Sequence, residues 1–362
     1  MEEKYMERAL ELAKRGIGRV NPNPLVGAVI VKNNEIIGEG YHECYGGAHA
    51  ERNAVKNATK DVEGSTIYIT LEPCAHYGKT PPCVDLLIQN KFKKVVIGML
   101  DPNELVEGKS VERLKQHGIE VIVGVKEEDC KKLNEIFIKY ITSKIPFVIL
   151  KSGMSLDGKI ATYSGDSKWI TSKESREDSQ NLRNRLHSIM VGVNTVIADD
   201  PELTCRINNE KSLIRIIVDT KLRIPLSSKV IKNQDKNTIV ATTFSADENK
   251  KQILSDLGIK IIEVPSKNKK VDLKEVVKKL GQEGIDSILI EGGGTLNFSA
   301  LEEDIVDKVI VYIAPKILGG EKSTSSIAGQ GFSQLEEAVQ LTDMRYRKTG
   351  RDLVIEGYIR KK

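Results

Sequence analysis

The stretch His49-Ala50-Glu51, followed by Pro73-Cys74 and, with eight residues between the two thiols, Cys83, restricts this chain more than any other feature. One imidazole and two thiols can occupy three corners of a tetrahedral zinc site and leave the fourth open, the arrangement of a catalytic rather than a closed structural centre. Glu51 stands two residues past the histidine, free to handle protons. Structural sites usually pair closely spaced cysteines and use four protein ligands; here three stand at suitable spacing, with an acid beside one of them.

The segments around these residues alternate between strand and helix patterns. Tyr5, Met6, Ala9, Leu10 and Ala13 recur at helical steps, closed by Gly16 and Gly18. Val26 to Val31 and Ile36 to Gly40 read as strands joined at Asn33-Asn34, because Asn tolerates the positive φ of a tight hairpin turn. Ala50 to Ala58 reads as a short helix, Thr66 to Thr70 as a strand, and Val84 to Gln89 as a helix just past Cys83. Strand Val95 to Gly98, helix Val111 to His117, strand Glu120 to Val123 and a single helix Glu127 to Tyr140 complete a three-layer α/β sandwich, with site residues where strands give way to helices. Ile145-Pro146 marks a boundary, predicting domains over residues 1–144 and 145–362.

Beyond it, Phe147 to Lys151 reads as an apolar strand, and Thr171-Ser172-Lys173-Glu174 as a capping box opening a helix to about His187. Strands Ile189 to Val193, Ile214 to Asp219 and Thr238 to Thr242 follow, with a helix capped around Ser245 to Glu248. A helix around Leu273 to Leu280, a buried strand Ser287 to Ile290, and closing strands near Val309 to Ile313 and Leu353 to Ile359 complete the series. Glu291-Gly292-Gly293-Gly294-Thr295-Leu296-Asn297 follows a buried strand and is read as opening a helix. There glycines let backbone approach phosphate and helix N-terminal amides face it.

Composition narrows the partners. A net charge of +4 spread through mixed Lys/Glu segments, with 5% aromatic residues, offers neither a basic arm nor stacking platforms for nucleic acid. No apolar run is long enough to span a membrane, and Met1-Glu2-Glu3-Lys4 lacks the layout of a secretory signal. A soluble, cytoplasmic protein is expected, with Cys44, Cys130 and Cys205 as ordinary small apolar residues.

His-x-Glu followed by Pro-Cys and a second Cys is the signature of zinc-dependent base deamination. Zinc lowers the pKa of its water from 15.7 to about 7, and Glu51 can take the water proton, deliver it to a ring nitrogen and protonate the departing ammonia. The signature's usual spacing is Cys-x-x-Cys; the longer gap here selects a subfamily.

Asn21-Pro22-Asn23-Pro24-Leu25-Val26-Gly27, Gly40-Tyr41-His42, Gly47-Ala48-His49-Ala50-Glu51, Glu72-Pro73-Cys74 through Cys83, and Asp101-Pro102-Asn103 resemble the deaminase half of the bifunctional riboflavin-biosynthesis deaminase/reductase family. That resemblance implies a cytidine-deaminase-like α/β/α fold, one catalytic Zn2+ per chain and a pyrimidine ribonucleotide substrate. It assigns Asn23, His42, His76, Lys79, Asp101 and Asn103 to substrate contact. Asn53 stands where the family often has histidine, and Glu104 where proline is usual.

Lys151 through Ala161, Ser167-Lys168-Trp169-Ile170-Thr171, Gly192-Val193-Asn194-Thr195 and Asp199 through Arg206 resemble the reductase half of the same family. The implied fold is similar to dihydrofolate reductase and the implied cofactor is NADPH, held by Gly153, Trp169, Thr195, Asp199, Thr220 and the loop Gly293, Gly294, Thr295, Leu296, Asn297, Phe298 and Ser299. Substrate would meet Ser167, Arg183, Leu203, Arg206 and Glu291. Arg183 and Arg206 suit a ribose 5-phosphate because a guanidinium donates a fork of charge-assisted bonds, although surface salt-bridging is the rival role for Arg183. Lys151, Asp199 and Glu291 are the candidates for the polar work of the reduction. Two other schemes stay open: a nucleobase editor with an RNA-binding second half, and a deaminase with a nucleotide-sensing regulatory half. Family resemblance and the apolar closing strands predict a homo-oligomer, dimer or tetramer.

Overall fold

The computed structural model describes residues 2–75, 81–103, 107–207, 212–233 and 235–360. The chain forms two compact units, Met1–Lys144 and Ile145–Lys362. The first runs α1 (Glu2–Lys14), β1 (Gly27–Lys32), β2 (Glu35–Tyr41), α2 (Ala50–Lys56), β3 (Thr66–Leu71), α3 (Cys83–Gln89), β4 (Lys94–Met99), α4 (Lys109–Gln116), β5 (Glu120–Val123), α5 (Glu127–Leu133) and α6 (Glu135–Ser143). Its sheet is ordered β2-β1-β3-β4-β5; β1 is antiparallel to β2 and β3, and β3, β4 and β5 are parallel.

Alternation along each strand sends side chains to opposite faces. Ala28, Ile30, Ile67, Ile69, Val95 and Ile97 pack with Ala50, Ala54, Val84, Leu87 and Leu114 of α2, α3 and α4. Val29, Val31, Tyr68 and Val96 pack on the other face with Met6, Ala9 and Leu10 of α1 and Cys130 of α5. The result is the expected three-layer sandwich. The β1–β2 turn uses Asn33 and Asn34 at φ 53° and 63°, as the hairpin reading requires.

The single helix expected over Glu127 to Tyr140 is two. Asn134 is buried between them, and its side-chain amide accepts from Leu25 N at 2.8 Å and donates to Leu25 O at 3.0 Å, a distant demand that local periodicity does not carry.

Gly40 lets α2 sit directly on β2. A Cβ there would run into the backbone of Ala50 and Ala54. Gly40→Ala is therefore expected to cost about 1–3 kcal/mol by overpacking, read as a lower denaturation midpoint. An unchanged midpoint would mean that α2 can slide without penalty.

The second unit runs β6 (Phe147–Ser155), α7 (Lys173–Arg185), β7 (Ser188–Gly192), α8 (Val193–Asp199), β8 (Ile214–Val218), α9 (Lys229–Lys232), β9 (Thr238–Thr243), α10 (Glu248–Asp256), β10 (Lys260–Val264), β11 (Ser266–Lys267), β12 (Lys270–Val271), α11 (Leu273–Gln282), β13 (Ser287–Ile290), α12 (Gly294–Glu302), β14 (Lys308–Ala314), β15 (Leu341–Thr349) and β16 (Asp352–Ile359). Its main sheet is ordered β10-β9-β8-β7-β13-β6-β14-β16-β15, parallel from β10 to β14 and antiparallel thereafter. Met190, Ile216, Ile288 and Ile290 face α11 and α12, while Ile189, Val191, Ile217 and Val240 face α8 and α10.

Two local readings shift. The cap of α7 is Ser172, not Thr171: the Ser172 side chain accepts from Ser175 N. The buried Asp352 carboxylate accepts from Ser172 N at 2.6 Å and Ser175 Oγ at 2.7 Å, fixing the helix start from 180 residues away. Helix α8 follows β7 with no intervening loop and was not expected. Cys44 is exposed rather than core, whereas Cys130 and Cys205 are buried. Among the described residues, no helix is long and apolar enough to cross a membrane.

Candidate active sites

In the first unit three elements deliver the metal donors. His49 is the residue before α2, Cys74 follows β3 by way of Glu72-Pro73, and Cys83 opens α3. His49 Nδ1 lies 3.5 Å from Cys74 Sγ and 3.4 Å from Cys83 Sγ, and the three donor atoms all fall within 4.8 Å of one another. A zinc tetrahedron with metal–sulfur bonds near 2.3 Å and metal–nitrogen bonds near 2.0 Å has N···S edges of about 3.5 Å, so the cluster fits that ion.

The chemistry of the donors agrees. The Cys74 thiol is pulled down to about 4, chiefly by its hydrogen bond with Cys83, while Cys83 is pushed up by the same bond and by burial. A dication held there would take both sulfurs as thiolates. Glu51, in the first turn of α2, is 3% exposed, and burial raises its carboxyl above the ordinary range.

Neighbouring residues are tied to this cluster. His42 is buried, its ring edge-on to His49 at 5.5 Å. Burial lowers its pKa, and the neutral ring donates from Nδ1 to Ala48 O at 3.1 Å while Nε2 accepts from Asn23 Nδ2 at 3.1 Å. Asn23 and His42 are therefore brought together. Asp101 and Asn103 share a turn, Asn103 N donating to Asp101 Oδ1 at 2.9 Å. Asn53 holds Tyr41 O at 2.9 Å and so pins α2 to the end of β2. His76, Lys79 and Glu104 lie outside the described residues.

Sequence reasoning missed the brace behind the cluster. Buried Glu72 accepts from the backbone N–H groups of Asp101 at 3.1 Å, Gly108 at 3.0 Å and Ser110 at 3.1 Å, tying the turn that follows β4 to the residue before Pro73-Cys74. Arg52 donates to Pro81 O at 2.7 Å, just ahead of Cys83. The signal available was the carboxylate itself, placed at a strand end where a buried charge needs donors.

In the second unit a polar centre forms where β13 ends, between the middle of β6 and the last turns of α7. Glu291, next after β13, accepts from Arg183 Nε at 3.0 Å and Nη2 at 2.9 Å and from Lys151 Nζ at 3.2 Å. Burial alone would raise its pKa; Arg183 and then Lys151 overcome that and hold it at about 2. Arg183 also donates to Thr204 O at 2.9 Å. Its fork, expected to grip a phosphate, is thus engaged within the protein, whereas the exposed Arg206 side chain makes no ion pair among the described residues.

A cavity of about 590 Å³ lies at the carboxyl ends of β7 and β8 and the start of α12, where parallel sheets bind ligands, and is lined in part by Thr195, Thr220, Gly293, Gly294, Thr295, Leu296 and Ser299 of the expected cofactor set. The other members lie elsewhere. Asn297 is buried and donates to Ser326 O at 2.8 Å, and Phe298 is buried against Phe332. Gly153 lies on β6, close to Thr171. Trp169 is exposed beneath the Arg176 guanidinium, 4.4 Å from its ring centroid. Asp199 ends α8, exposed and bonded to neither Lys151 nor Glu291. Ser167 is half-buried, and Leu203 packs its side chain in the core at φ 53°. Sequence reasoning also missed Asn194, Lys221, Arg223, Lys269 and Lys270, which line the same cavity.

A mixed sheet between helical layers, carrying a His-Cys-Cys cluster beside a buried glutamate, defines a zinc-dependent deaminase, here followed by a largely parallel α/β unit of the reductase class. Residues 1–99 match the cytidine and deoxycytidylate deaminase zinc-binding region, and residues 146–355 the RibD C-terminal domain. The riboflavin biosynthesis protein RibD of Actinobacillus pleuropneumoniae is 49% identical over 352 residues, covering 97% of this chain and 94% of that protein. A solved RibD of Acinetobacter baumannii superposes with a TM-score of 0.89 at 37% identity, covering 99% of both chains. The solved diaminohydroxyphosphoribosylaminopyrimidine deaminase/5-amino-6-(5-phosphoribosylamino)uracil reductase of Thermotoga maritima does so at 0.84 and 39%, again over 99% of both chains. The chain belongs to the RibD family of deaminase/reductases of riboflavin biosynthesis.

Proposed function

We propose that the chain deaminates 2,5-diamino-6-ribosylamino-4(3H)-pyrimidinone 5′-phosphate and then reduces the ribosyl group with NADPH, giving 5-amino-6-ribitylamino-uracil 5′-phosphate. The observation that carries this is the His49, Cys74 and Cys83 triangle, with edges of zinc-site length and buried Glu51 on the adjoining helix turn. Zinc held there supplies a Lewis acid that makes water nucleophilic near neutral pH. Glu51 takes the proton of the attacking water, passes it to the ring nitrogen and protonates the amine that leaves as ammonia. Asn23, His42, Asp101 and Asn103, with His76 and Lys79, hold the pyrimidine nucleotide.

In the second unit the cavity between Thr195, Thr220 and the Gly293–Ser299 segment takes NADPH, which supplies the hydride for the anomeric carbon of the ring-opened imine. Lys151 gives the accompanying proton, with Glu291 fixing its position, and Asp199 is the further polar candidate. Arg206, with Ser167 and the Leu203 backbone, faces the ribose phosphate. Buried Asn297 and Phe298 brace the start of α12 from behind that cavity, while Gly153 and Trp169 stand outside it, as contacts that only the bound cofactor's nicotinamide half would reach. The enzyme works in the cytoplasm as a homo-oligomer, dimer or tetramer; edge strand β15, with Met344 and Tyr346 exposed, favours self-association.

The test follows ammonia release and NADPH loss separately, with and without chelation of zinc. Chelation should abolish ammonia release and leave NADPH oxidation intact on substrate already deaminated. Ammonia release that survives complete zinc removal would overturn the deaminase assignment.

A further inference from the structure

The cavity beside α12 is lined by Lys221, Arg223, Lys269 and Lys270, and no acidic residue is among its described lining. Two of these cations are held by neutral groups among the described residues: Arg223 Nη2 donates to Asn194 Oδ1 at 2.7 Å, and Lys270 Nζ to Ser299 Oγ at 3.3 Å. Lys221 and Lys269 make no ion pair among the described residues. Four exposed cations thus line one concavity with no acidic residue among its described lining, a charge balance that favours an anionic ligand.

The two lysines are carried by a small built element. Strands β11 and β12 pair Ser266 with Val271 and Lys267 with Lys270, and the turn between them has Asn268 and Lys269 at φ 49° and 62°. Buried Val271 anchors the hairpin in the core, leaving Lys269 and Lys270 at the cavity. Ser299, where Lys270 is held, is five residues past Gly294, or about 7.5 Å along the helix axis. The amides at the start of α12 suit a pyrophosphate. The lysines stand at a separate point, so a ligand satisfying both carries a second, distinct anionic group.

Resting on the reductase function proposed above, we propose that the β11–β12 hairpin, through Lys269 and Lys270 with Arg223 behind them, binds the 2′-phosphate of NADPH and sets its preference over NADH. The 2′-phosphate is the one group that distinguishes the two dinucleotides, and guanidinium and ammonium groups are its natural partners.

The experiment measures equilibrium binding of NADPH, NADH and adenosine 2′,5′-bisphosphate to the full chain and to two paired variants, Lys269→Gln with Lys270→Gln and Lys269→Arg with Lys270→Arg. The glutamine pair should lose about 10- to 100-fold in its preference for NADPH over NADH and weaken the bisphosphate to match, while the arginine pair keeps the preference. Equal weakening of both dinucleotides, or NADPH binding that survives the glutamine pair unchanged, overturns the inference alone. Wild-type protein that binds neither dinucleotide overturns the reductase function together with it.

Discussion

Glu51→Gln is expected to keep a full complement of zinc while cutting ammonia release by about 10²- to 10⁴-fold. Glutamine has the volume of glutamate and fits the same buried place in α2, which is packed against β2 at Gly40. What it lacks is a group that can both accept and return a proton. His49, Cys74 and Cys83 stand on three different elements and none of them changes, so metal analysis separates loss of the proton carrier from loss of the site. NADPH oxidation with deaminated substrate reads the second unit independently. Near-normal ammonia release by the zinc-loaded variant would show that another group moves the proton.

Glu291→Gln should have the largest effect in the second unit. The wild-type carboxylate is shared by Arg183 and Lys151, whose side chains are 17% and 15% exposed. Removing it leaves two cations with little solvent and no counter-ion, a change that typically costs about 3–5 kcal/mol. Reductase turnover should fall with it, because Lys151 loses the group that fixes its position. The pH dependence follows from the same contacts. Glu291 is held at about 2, below its ordinary 4.5, so the bond network stabilises the unit above about pH 4.5 and is lost as pH falls toward 2. Acid titration of the thermal midpoint should show this loss in the wild type and not in the variant. Matching acid profiles for the two proteins would refute the assignment.

Much of the first site was legible because its chemistry admits few residue types. A His-x-Glu and two spaced cysteines can be recognised wherever they fall, and Asn33-Asn34 announces its turn by the φ values that Asn tolerates. The braces were not legible. Glu72 reads as one more carboxylate until the backbone N–H groups of Asp101, Gly108 and Ser110 converge on it. Arg183 on a polar helix reads equally well as surface or phosphate ligand, and its partner lies 108 residues away. Lysines 269 and 270 belong to a charged run that looks like solvated surface, and only a fold that closes a cavity beside them gives them a direction. The cap of α7 moved by one residue for a comparable reason, since Asp352 selects between two adjacent hydroxyl residues from the far end of the chain.

The bond between Leu25 and Asn134 spans 109 residues and moors the segment just after Asn23 to the junction of α5 and α6. A chain emerging from the ribosome can build β1, β2 and β3 long before that junction exists, yet it cannot fasten this segment until residue 134 has been made. The first active site is therefore among the last parts of its unit to close. Both ends of that bond nonetheless lie within Met1–Lys144, so the first site can close without waiting for the second unit to be completed, and the order of synthesis follows the order of the two reactions.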